Sequence, residues 1–154
     1  MLMGYSELAR AGTIGLALLS FPGCARPDAN VAPLNAAAPA WVNSIGGKYA
    51  GLLAGGDQLE PVITELTQTN SGSVVGTYVF LEPGNIGVEG KLDHCSEIRE
   101  LELECQWHDK YGSGALEMAF ASDFEAFAGQ WSSGTTPDRW SLWTGRLVAG
   151  RVVV

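Results

Sequence analysis

Residues 99–121 read RELELECQWHDKYGSGALEMAFA, and their alternation decides the fold class of this chain. In the first half of the stretch, one parity is apolar and the other polar: Leu101, Leu103, Cys105 and Trp107 against Glu100, Glu102, Glu104 and Gln106. The second half repeats the pattern, with Leu116, Met118 and Phe120 as the apolar set. An alternation of period two is what a half-buried strand requires, and no helical face accounts for it. The stretch therefore predicts two strands separated by the turn residues 109–112.

The same pattern extends in both directions from this stretch. Candidate strands are residues 47–54, 61–68, 73–81, 86–92, 99–108, 113–121, 125–132 and 140–149. Gly, Pro, Asn and Asp punctuate the chain between them, as at Gly55-Gly56-Asp57 and Pro83-Gly84-Asn85. Short strands at regular spacing with tight turns favour a sandwich or an up-and-down barrel. No helix longer than a turn or two is expected.

A glycine precedes a bulky residue by two positions in several of these strands. The pairs are Gly47 and Tyr49, Gly76 and Tyr78, Gly90 and Leu92, Gly129 and Trp131, and Gly145 and Leu147. A glycine within a strand permits sharp coiling, and a neighbouring aromatic ring can cover the gap that it leaves. Because the strands of a small closed barrel must bend to meet, the repeat favours an all-β, eight-stranded antiparallel up-and-down β-barrel.

Three short motifs resemble meander barrels of the avidin and lipocalin, or calycin, type. They are Gly47-Lys48-Tyr49-Ala50-Gly51, Gly76-Thr77-Tyr78, and QWSSGTT at residues 130–136 followed by Trp140 and Trp143. In that family, Trp131 and Trp143 would fall near ligand-stacking positions, and Ser133 or Thr135 near a polar contact. The first strand departs from the family, with Leu52 and Ala54 where its members carry the Asn and Ser that bind the ligand's polar head. The resemblance therefore implies the barrel architecture and not biotin binding.

The N-terminal region carries a targeting pattern at residues 14–24, IGLALLSFPGC. A short apolar run before small residues is typical of a secretory signal and is too short to span a membrane. Because Cys24 directly follows Gly23, the run resembles the lipobox of bacterial lipoproteins, in which this cysteine is lipidated and becomes the new N-terminus. Phe21 and Pro22 depart from the usual lipobox, which leaves an ordinary cleaved signal or a cytosolic protein with an apolar N-terminal helix as alternatives.

These features divide the chain into a lipoprotein-type signal peptide at 1–23, a linker at 24–40 and a barrel domain at 41–154. The linker is rich in proline and alanine without apolar periodicity, so we expect a disordered, extended arm. The membrane would be a partner through the lipid on Cys24, which places the protein in the bacterial cell envelope. Since Ala25 and not Asp follows the cysteine, resemblance to lipoproteins of double-membraned bacteria favours the outer membrane.

The chain is acidic, with 17 acidic and 9 basic side chains and a net charge of −8. An acidic chain without a basic patch argues against nucleic acid as a partner and against electrostatic binding to anionic lipid. Solubility accounts for the excess of acid, and a surface for a basic protein partner is the alternative.

Two cysteines remain if Cys24 is lipidated, and in an oxidising compartment Cys95 and Cys105 can pair. His94 and His108 flank them, so a zinc site is the sharper alternative, with two free thiols as a third. Three residues along a strand place Cys105 and His108 on opposite faces, which disfavours zinc. We therefore expect a Cys95–Cys105 disulfide and no metal site.

Little in the sequence supports catalysis. His94 and His108 are the only histidines, and no Ser-His-Asp order surrounds a nucleophile elbow. Glu100, Glu102 and Glu104 alternate with leucine, which makes them a solvated strand face more simply than a catalytic cluster. We expect a protein without catalytic residues and without a cofactor.

Aromatic residues of the second half are the candidates for ligand binding. They are Trp107, Tyr111, Trp131, Trp140 and Trp143. An eight-stranded barrel is just wide enough for side chains to fill, so a core packed with rings is one interpretation. Another is a barrel mouth whose aromatic faces bind a small hydrophobic or planar ligand. A surface for a protein partner is a third, as in an inhibitor of a secreted enzyme or an envelope assembly accessory.

Overall fold

A computed structural model describes residues 39–149 of the 154-residue chain. The predicted signal peptide, Cys24 and the linker up to residue 38 lie outside the described residues, as do residues 150–154. A 3-10 helix, Ala40–Ser44, precedes eight strands: β1 (Gly47–Gly55), β2 (Gln58–Gln68), β3 (Val74–Glu82), β4 (Ile86–Arg99), β5 (Glu102–Asp109), β6 (Gly112–Phe120), β7 (Ala126–Ser133) and β8 (Thr136–Ala149). Within residues 39–149, no helix has the length and apolar character needed to cross a membrane.

The eight strands form one closed sheet. Each strand pairs antiparallel with the next along the chain, and β8 pairs with β1. The prediction of an eight-stranded antiparallel up-and-down barrel is therefore confirmed. The turns at 55–58, 82–86, 109–112 and 133–136 lie at one end, which we call the mouth end. The turns after β2, β4 and β6 lie at the other, the closed end, where the 3-10 helix is also found.

The alternation of apolar and polar residues in 99–121 corresponds to side chains that point alternately into the barrel core and to the outside. Its apolar side chains on β5 and β6 point into the core and are buried: Leu103, Cys105, Trp107, Leu116, Met118 and Phe120. Glu104 and Gln106 lie between the buried β5 residues and are exposed. Leu101 is the exception, because it lies in the β4–β5 turn with a φ of 63° and is only partly buried.

Strand β4 is longer than the strand that the sequence pattern predicts. It continues to Arg99 instead of ending at residue 92, and β5 begins at Glu102 instead of residue 99. The register between the two strands shifts between Asp93 and Ser96, and His94 inside this bulge has a φ of 50°. An extra residue in a strand interrupts the alternation of its side chains. The pattern therefore stops near residue 92 although the strand does not.

The bulge also brings the two cysteines together. Inward positions of β4 are even-numbered up to Leu92, and the extra residue shifts them so that Cys95 packs against the core. There it forms a disulfide with the buried Cys105, with an S–S distance of 2.01 Å. The predicted pairing of these two cysteines is confirmed.

Strand β8 begins earlier than predicted, at Thr136 instead of residue 140. Ser133 and Thr136 are a cross-strand pair, so only two residues form the β7–β8 turn. Pro137 follows immediately, in a region where the register with β7 is irregular. A proline is tolerated at such a strand start, although in the sequence it reads as part of a loop.

The 3-10 helix closes one end of the barrel. Val42 from the helix and Ile45 just after it are buried in the core cluster. The Tyr49 hydroxyl lies 2.9 Å from the Ile45 carbonyl oxygen and 3.2 Å from that of Phe124. The ring of Trp41 stacks on that of Phe124, with their planes 2° apart. The helix thus seals this end with apolar side chains, and it starts at Ala40, the last residue of the predicted linker.

Aromatic rings cover glycines on neighbouring strands, as the glycine repeat predicts. Tyr78 faces Gly90 across β3 and β4, and Phe127 faces Gly145 across β7 and β8. A Cβ added at either glycine would overlap the facing ring. The missing side chains therefore give these large rings room inside a narrow barrel.

Candidate functional site

A cavity of about 280 Å³ opens at the mouth end of the barrel. Half of its lining residues are aromatic: Tyr78, Phe80, Trp107, Tyr111, Trp131 and Trp143. Three carboxylates, Glu60, Glu82 and Asp109, also line it, together with Leu53, Gly55 and Gly56. The cavity is therefore a cleft with aromatic walls and acidic groups, typical of a site that binds one small molecule.

The three tryptophans of the cavity use their indole N–H groups within the barrel wall. Trp107 donates to the Ser132 carbonyl oxygen at 2.9 Å, and Trp131 donates to that of Ala54 at 3.1 Å. The N–H of Trp143 donates to the hydroxyl oxygen of a buried threonine on β2 at 3.1 Å. The rings therefore line the cavity with their carbon surfaces, while their N–H groups hold the rings in place.

Edge-to-face contacts fix the rings relative to one another. The centroids of Trp107 and Trp131 are 5.5 Å apart with planes at 88°, and those of Tyr78 and Trp143 are 4.7 Å apart with planes at 77°. Such contacts contribute about 0.5–1.5 kcal/mol each beyond burial of area. Trp143 and Tyr78 are also almost fully buried, so they form the floor of the cavity above the packed core.

Glu82 is bound by two side chains from the β5–β6 turn. Its carboxylate accepts hydrogen bonds from the Tyr111 hydroxyl and, at 3.2 Å, from the Lys110 ammonium. The Lys110 nitrogen also lies 4.7 Å from the centre of the Tyr111 ring. The hydrogen bond from Tyr111, followed by the bond and charge of Lys110, lowers the pKa of Glu82. Glu82 is thus an ionised carboxylate with its counter-charge already in place.

Asp109 also accepts two hydrogen bonds, but both of its donors are neutral. Its Oδ2 accepts a hydrogen bond from the Tyr78 hydroxyl at 2.8 Å, and its Oδ1 accepts one from the Tyr111 backbone N–H at 2.7 Å. Burial, and then the hydrogen bond to Asp109, raises the pKa of Tyr78 well above its usual range. The phenol therefore stays protonated and keeps donating to the carboxylate.

Glu60 differs from the other two carboxylates. In the part of the chain that the structure describes, it accepts no side-chain or backbone hydrogen bond and forms no ion pair. Its carboxylate lies over the backbone of Gly55, where an added Cβ would be 2.7 Å from Oε2. Burial, followed by the nearby charge of Glu82, raises the pKa of Glu60. Glu60 is thus a carboxylate without a counter-charge at the edge of an aromatic cleft.

The structure brings together four of the five aromatic candidates. Trp107, Tyr111, Trp131 and Trp143 all line the cavity, and Tyr111 is 64% exposed at its rim. Trp140 does not line it, because it lies three residues before Trp143 on β8 and so faces outward, 38% exposed.

The polar positions implied by the avidin-like motif lie elsewhere. Ser133 and Thr135 bond to each other at 2.9 Å within the β7–β8 turn and do not line the cavity. Sequence reasoning missed Tyr78, Glu60 and Glu82 as cavity residues. A signal was available for Glu82, because it shares the inward parity of Tyr78 and lies at the last position of its strand.

The two histidines lie on the outside of β4 and β5 beside the disulfide. His94 Nδ1 and His108 Nε2 are 2.6 and 3.1 Å from the same carboxylate oxygen of Asp93. The hydrogen bond from His94 is the main cause that lowers the pKa of Asp93. Among residues 39–149, no group of three or more His, Cys, Asp or Glu side chains is arranged to hold a metal ion.

An apolar patch occupies the outer surface of β1 to β3 near the mouth. We call it the outer patch, and it consists of Leu52, Leu59, Ile63, Val79 and Leu81, all exposed. Ile63 and Val79 are a cross-strand pair, and Leu52 pairs with Pro61, so the patch is continuous across strands. A contiguous exposed apolar surface is typical of interaction sites.

No protein-family model, no curated protein and no solved structure matches this chain. Its class therefore rests on the fold and the cavity: a closed eight-stranded up-and-down barrel of calycin-like architecture with an aromatic cleft at one end.

Proposed function

We propose that this protein binds a small hydrophobic or planar molecule in the mouth of its barrel and carries out no chemical step on it. The observation that carries the proposal is the cleft of about 280 Å³ with aromatic walls. Ligand pockets in proteins commonly have volumes of about 300–1,000 Å³, so this cleft suits a compact molecule and not a long acyl chain. The rings are held by hydrogen bonds and edge-to-face contacts, so the site is formed before the ligand arrives.

The arrangement of the acidic groups supports the proposal of binding without catalysis. Glu82 and Asp109 are both engaged by donors from the barrel, which leaves Glu60 as the one unpaired carboxylate of the lining. Glycoside hydrolysis by carboxylates requires a pair that converges on the substrate. Neither histidine lines the cleft, since both lie beside Asp93 on the outer surface.

Titration of tryptophan fluorescence with a panel of small planar and apolar compounds tests the proposal. We expect quenching or a spectral shift with at least one compound, and none in the Trp131→Leu variant at the same concentration. Trp140→Leu is the matched control, because it removes the same ring from the outer surface. Unchanged fluorescence across the panel would refute the proposal, and loss of binding in both variants would place the site elsewhere.

We also propose that the barrel is held in the bacterial cell envelope, at the outer membrane, by a lipid on Cys24. The sequence at 14–24 and the Pro/Ala-rich linker support this location. Intact mass spectrometry of protein purified from the membrane fraction tests it. A mass that begins at Cys24 with acyl chains is expected, and an unprocessed chain would refute it.

A protein-binding module is the second candidate, and the outer patch favours it. The five exposed apolar side chains of the outer patch are available for a partner without any change in the barrel. A partner that co-purifies in equal amount with the wild type but not with Ile63→Glu would support this function. A partner that still binds Ile63→Glu would argue against the outer patch.

A further inference from the structure

Formal charges in the cleft are unevenly compensated. Among residues 39–149, its lining holds three carboxylates and no basic side chain. Lys110 lies outside the lining and bonds to Glu82, while Asp109 is satisfied by the Tyr78 hydroxyl and the Tyr111 N–H. Among the described residues, Glu60 and Asp109 both lack a basic partner, but only Glu60 also lacks hydrogen-bond donors, so its carboxylate oxygens are the ones available to pair with a charged ligand.

Aromatic carbon surfaces adjoin this carboxylate in the same cleft. The indole N–H groups of Trp131 and Trp143 point into the barrel wall, so the rings present no donor to an anion. The faces of such rings attract cations, by about 0.5–1 kcal/mol at exposed sites and about 2 kcal/mol or more when the cation is desolvated. The same surfaces bind an apolar body by the hydrophobic effect.

We infer that the ligand of the cleft is an organic cation, an amine or quaternary ammonium whose apolar or aromatic body enters the cavity while its charge pairs with Glu60. This inference rests on the proposed binding function and narrows it to one chemical class. An anionic ligand such as a carboxylate would instead face Glu60, Glu82 and Asp109 at close range, and like charges in a desolvated site repel strongly.

The electrostatic surroundings of Glu60 agree with this assignment. Its raised pKa shows that burial and the charge of Glu82 both disfavour the ionised form. A cation bound beside it would remove that penalty, because an opposite charge within a few ångströms stabilises a carboxylate.

Three probes of similar size and different charge test the inference on the protein as purified. They are benzyltrimethylammonium, its neutral isostere neopentylbenzene, and phenylpropanoate as the anion, each titrated by tryptophan fluorescence and calorimetry. We expect the cation to bind at least about tenfold more tightly than the neutral isostere, and the anion to bind most weakly.

Two variants make the test specific to one carboxylate. In Glu60→Gln the ratio of cation to isostere affinity falls towards one, because the pairing charge is gone. Glu89→Gln is the matched control, since Glu89 is exposed on the outer surface of β4, and it keeps the wild-type ratio. Thermal unfolding of both variants verifies that the barrel is folded.

Each outcome separates the inference from the function on which it rests. Equal affinity for cation and isostere, or a preference that survives in Glu60→Gln, overturns the cation assignment while binding in the cleft stands. Failure of all three probes to bind the wild type refutes the proposed binding function as well.

Discussion

Single residues hold the aromatic walls of the cleft in place through buried hydrogen bonds. The clearest case is the pair of Trp143 and Thr64, in which the indole N–H donates to a hydroxyl that is 0% exposed. A buried donor that loses its acceptor costs about 1–3 kcal/mol, because water cannot replace the lost partner. The threonine therefore matters more for the cleft than its small size suggests.

Thr64→Val is expected to lower the free energy of unfolding by about 1–3 kcal/mol, measured in urea. The substitution keeps the volume and removes the acceptor of the Trp143 N–H. Thr77→Val on the exposed surface of β3 is the control and should change stability by less than about 0.5 kcal/mol. Equal effects of the two substitutions would mean that the hydrogen bond contributes nothing.

Asp93 supplies a prediction of pH dependence. Because the His94 hydrogen bond lowers its pKa in the folded state, its contribution to stability is present above the unfolded pKa of about 4. The contribution is lost as the pH falls through the lowered folded value. Asp93→Asn should therefore cost up to about 1 kcal/mol near pH 6, since the group is partly exposed, and almost nothing near pH 2.

Urea unfolding of wild type and variant at both pH values measures this difference. Asp57→Asn, in the exposed β1–β2 turn, serves as the control for removal of a surface charge. A loss of the same size at both pH values would contradict the role of the ionised carboxylate.

Among elements, the β4–β5 hairpin is joined by a covalent bond as well as by its hydrogen bonds. The Cys95–Cys105 disulfide closes a loop across a sequence separation of 10 residues. In the loop-closure model a loop of this size contributes about 2–3 kcal/mol, by restricting the unfolded chain. The disulfide thus stabilises the pairing of β4 with β5 at the bulge, where the alternation of side chains along β4 is interrupted.

Cys95→Ala combined with Cys105→Ala is expected to lower the free energy of unfolding by about 2–3 kcal/mol. Reductant should lower the stability of the wild type by a similar amount and leave the double variant unchanged. A wild type that is insensitive to reductant after verified reduction would contradict the prediction.

The β3–β4 pair depends on a glycine opposite a large ring. Gly90→Ala places a methyl group where the Tyr78 ring lies, so we expect a loss of about 1–3 kcal/mol from overpacking. Gly87→Ala on the same strand is the matched control, because its Cβ would meet its nearest neighbour at an ordinary 3.7 Å. Thermal unfolding of the two variants measures the difference, and equal melting temperatures would contradict it.

The strands and their buried faces were predictable because apolar and polar residues alternate along most strands of the barrel. The alternation around Cys105 and Trp107 gave the buried face of β5. The continuation of β4 past His94 was not predictable, since a positive φ in a non-glycine residue follows from the pairing of neighbouring strands. The position of Glu60 in the cleft was equally hidden, because it depends on the closure of the barrel and on the space above Gly55.

At the scale of the whole molecule, the barrel has two different ends separated by a packed core. The 3-10 helix closes one end with Val42, and the aromatic cleft occupies the other. Substitutions at sites that share no contacts usually have independent effects on the free energies of unfolding and binding. Stability of the closed end and binding at the mouth should therefore be separable.

Val42→Ala is expected to lower the free energy of unfolding by about 1–3 kcal/mol through loss of buried methyl groups. The dissociation constant of a ligand bound at the mouth should stay within about twofold of the wild-type value. Denaturation and ligand titration on the same preparation measure both quantities. A large change in affinity would show that the two ends are coupled.

Closure of the sheet from β8 back to β1 also limits how another polypeptide can be recognised. Among the described residues every strand has a neighbour on each side, so the sheet offers no full-length edge strand to an added strand. A peptide cannot extend this sheet in the way that edge-strand receptors are extended. Whatever protein this barrel meets must be recognised by side chains, which gives the discriminating role to surfaces such as the outer patch and the rim of the cleft.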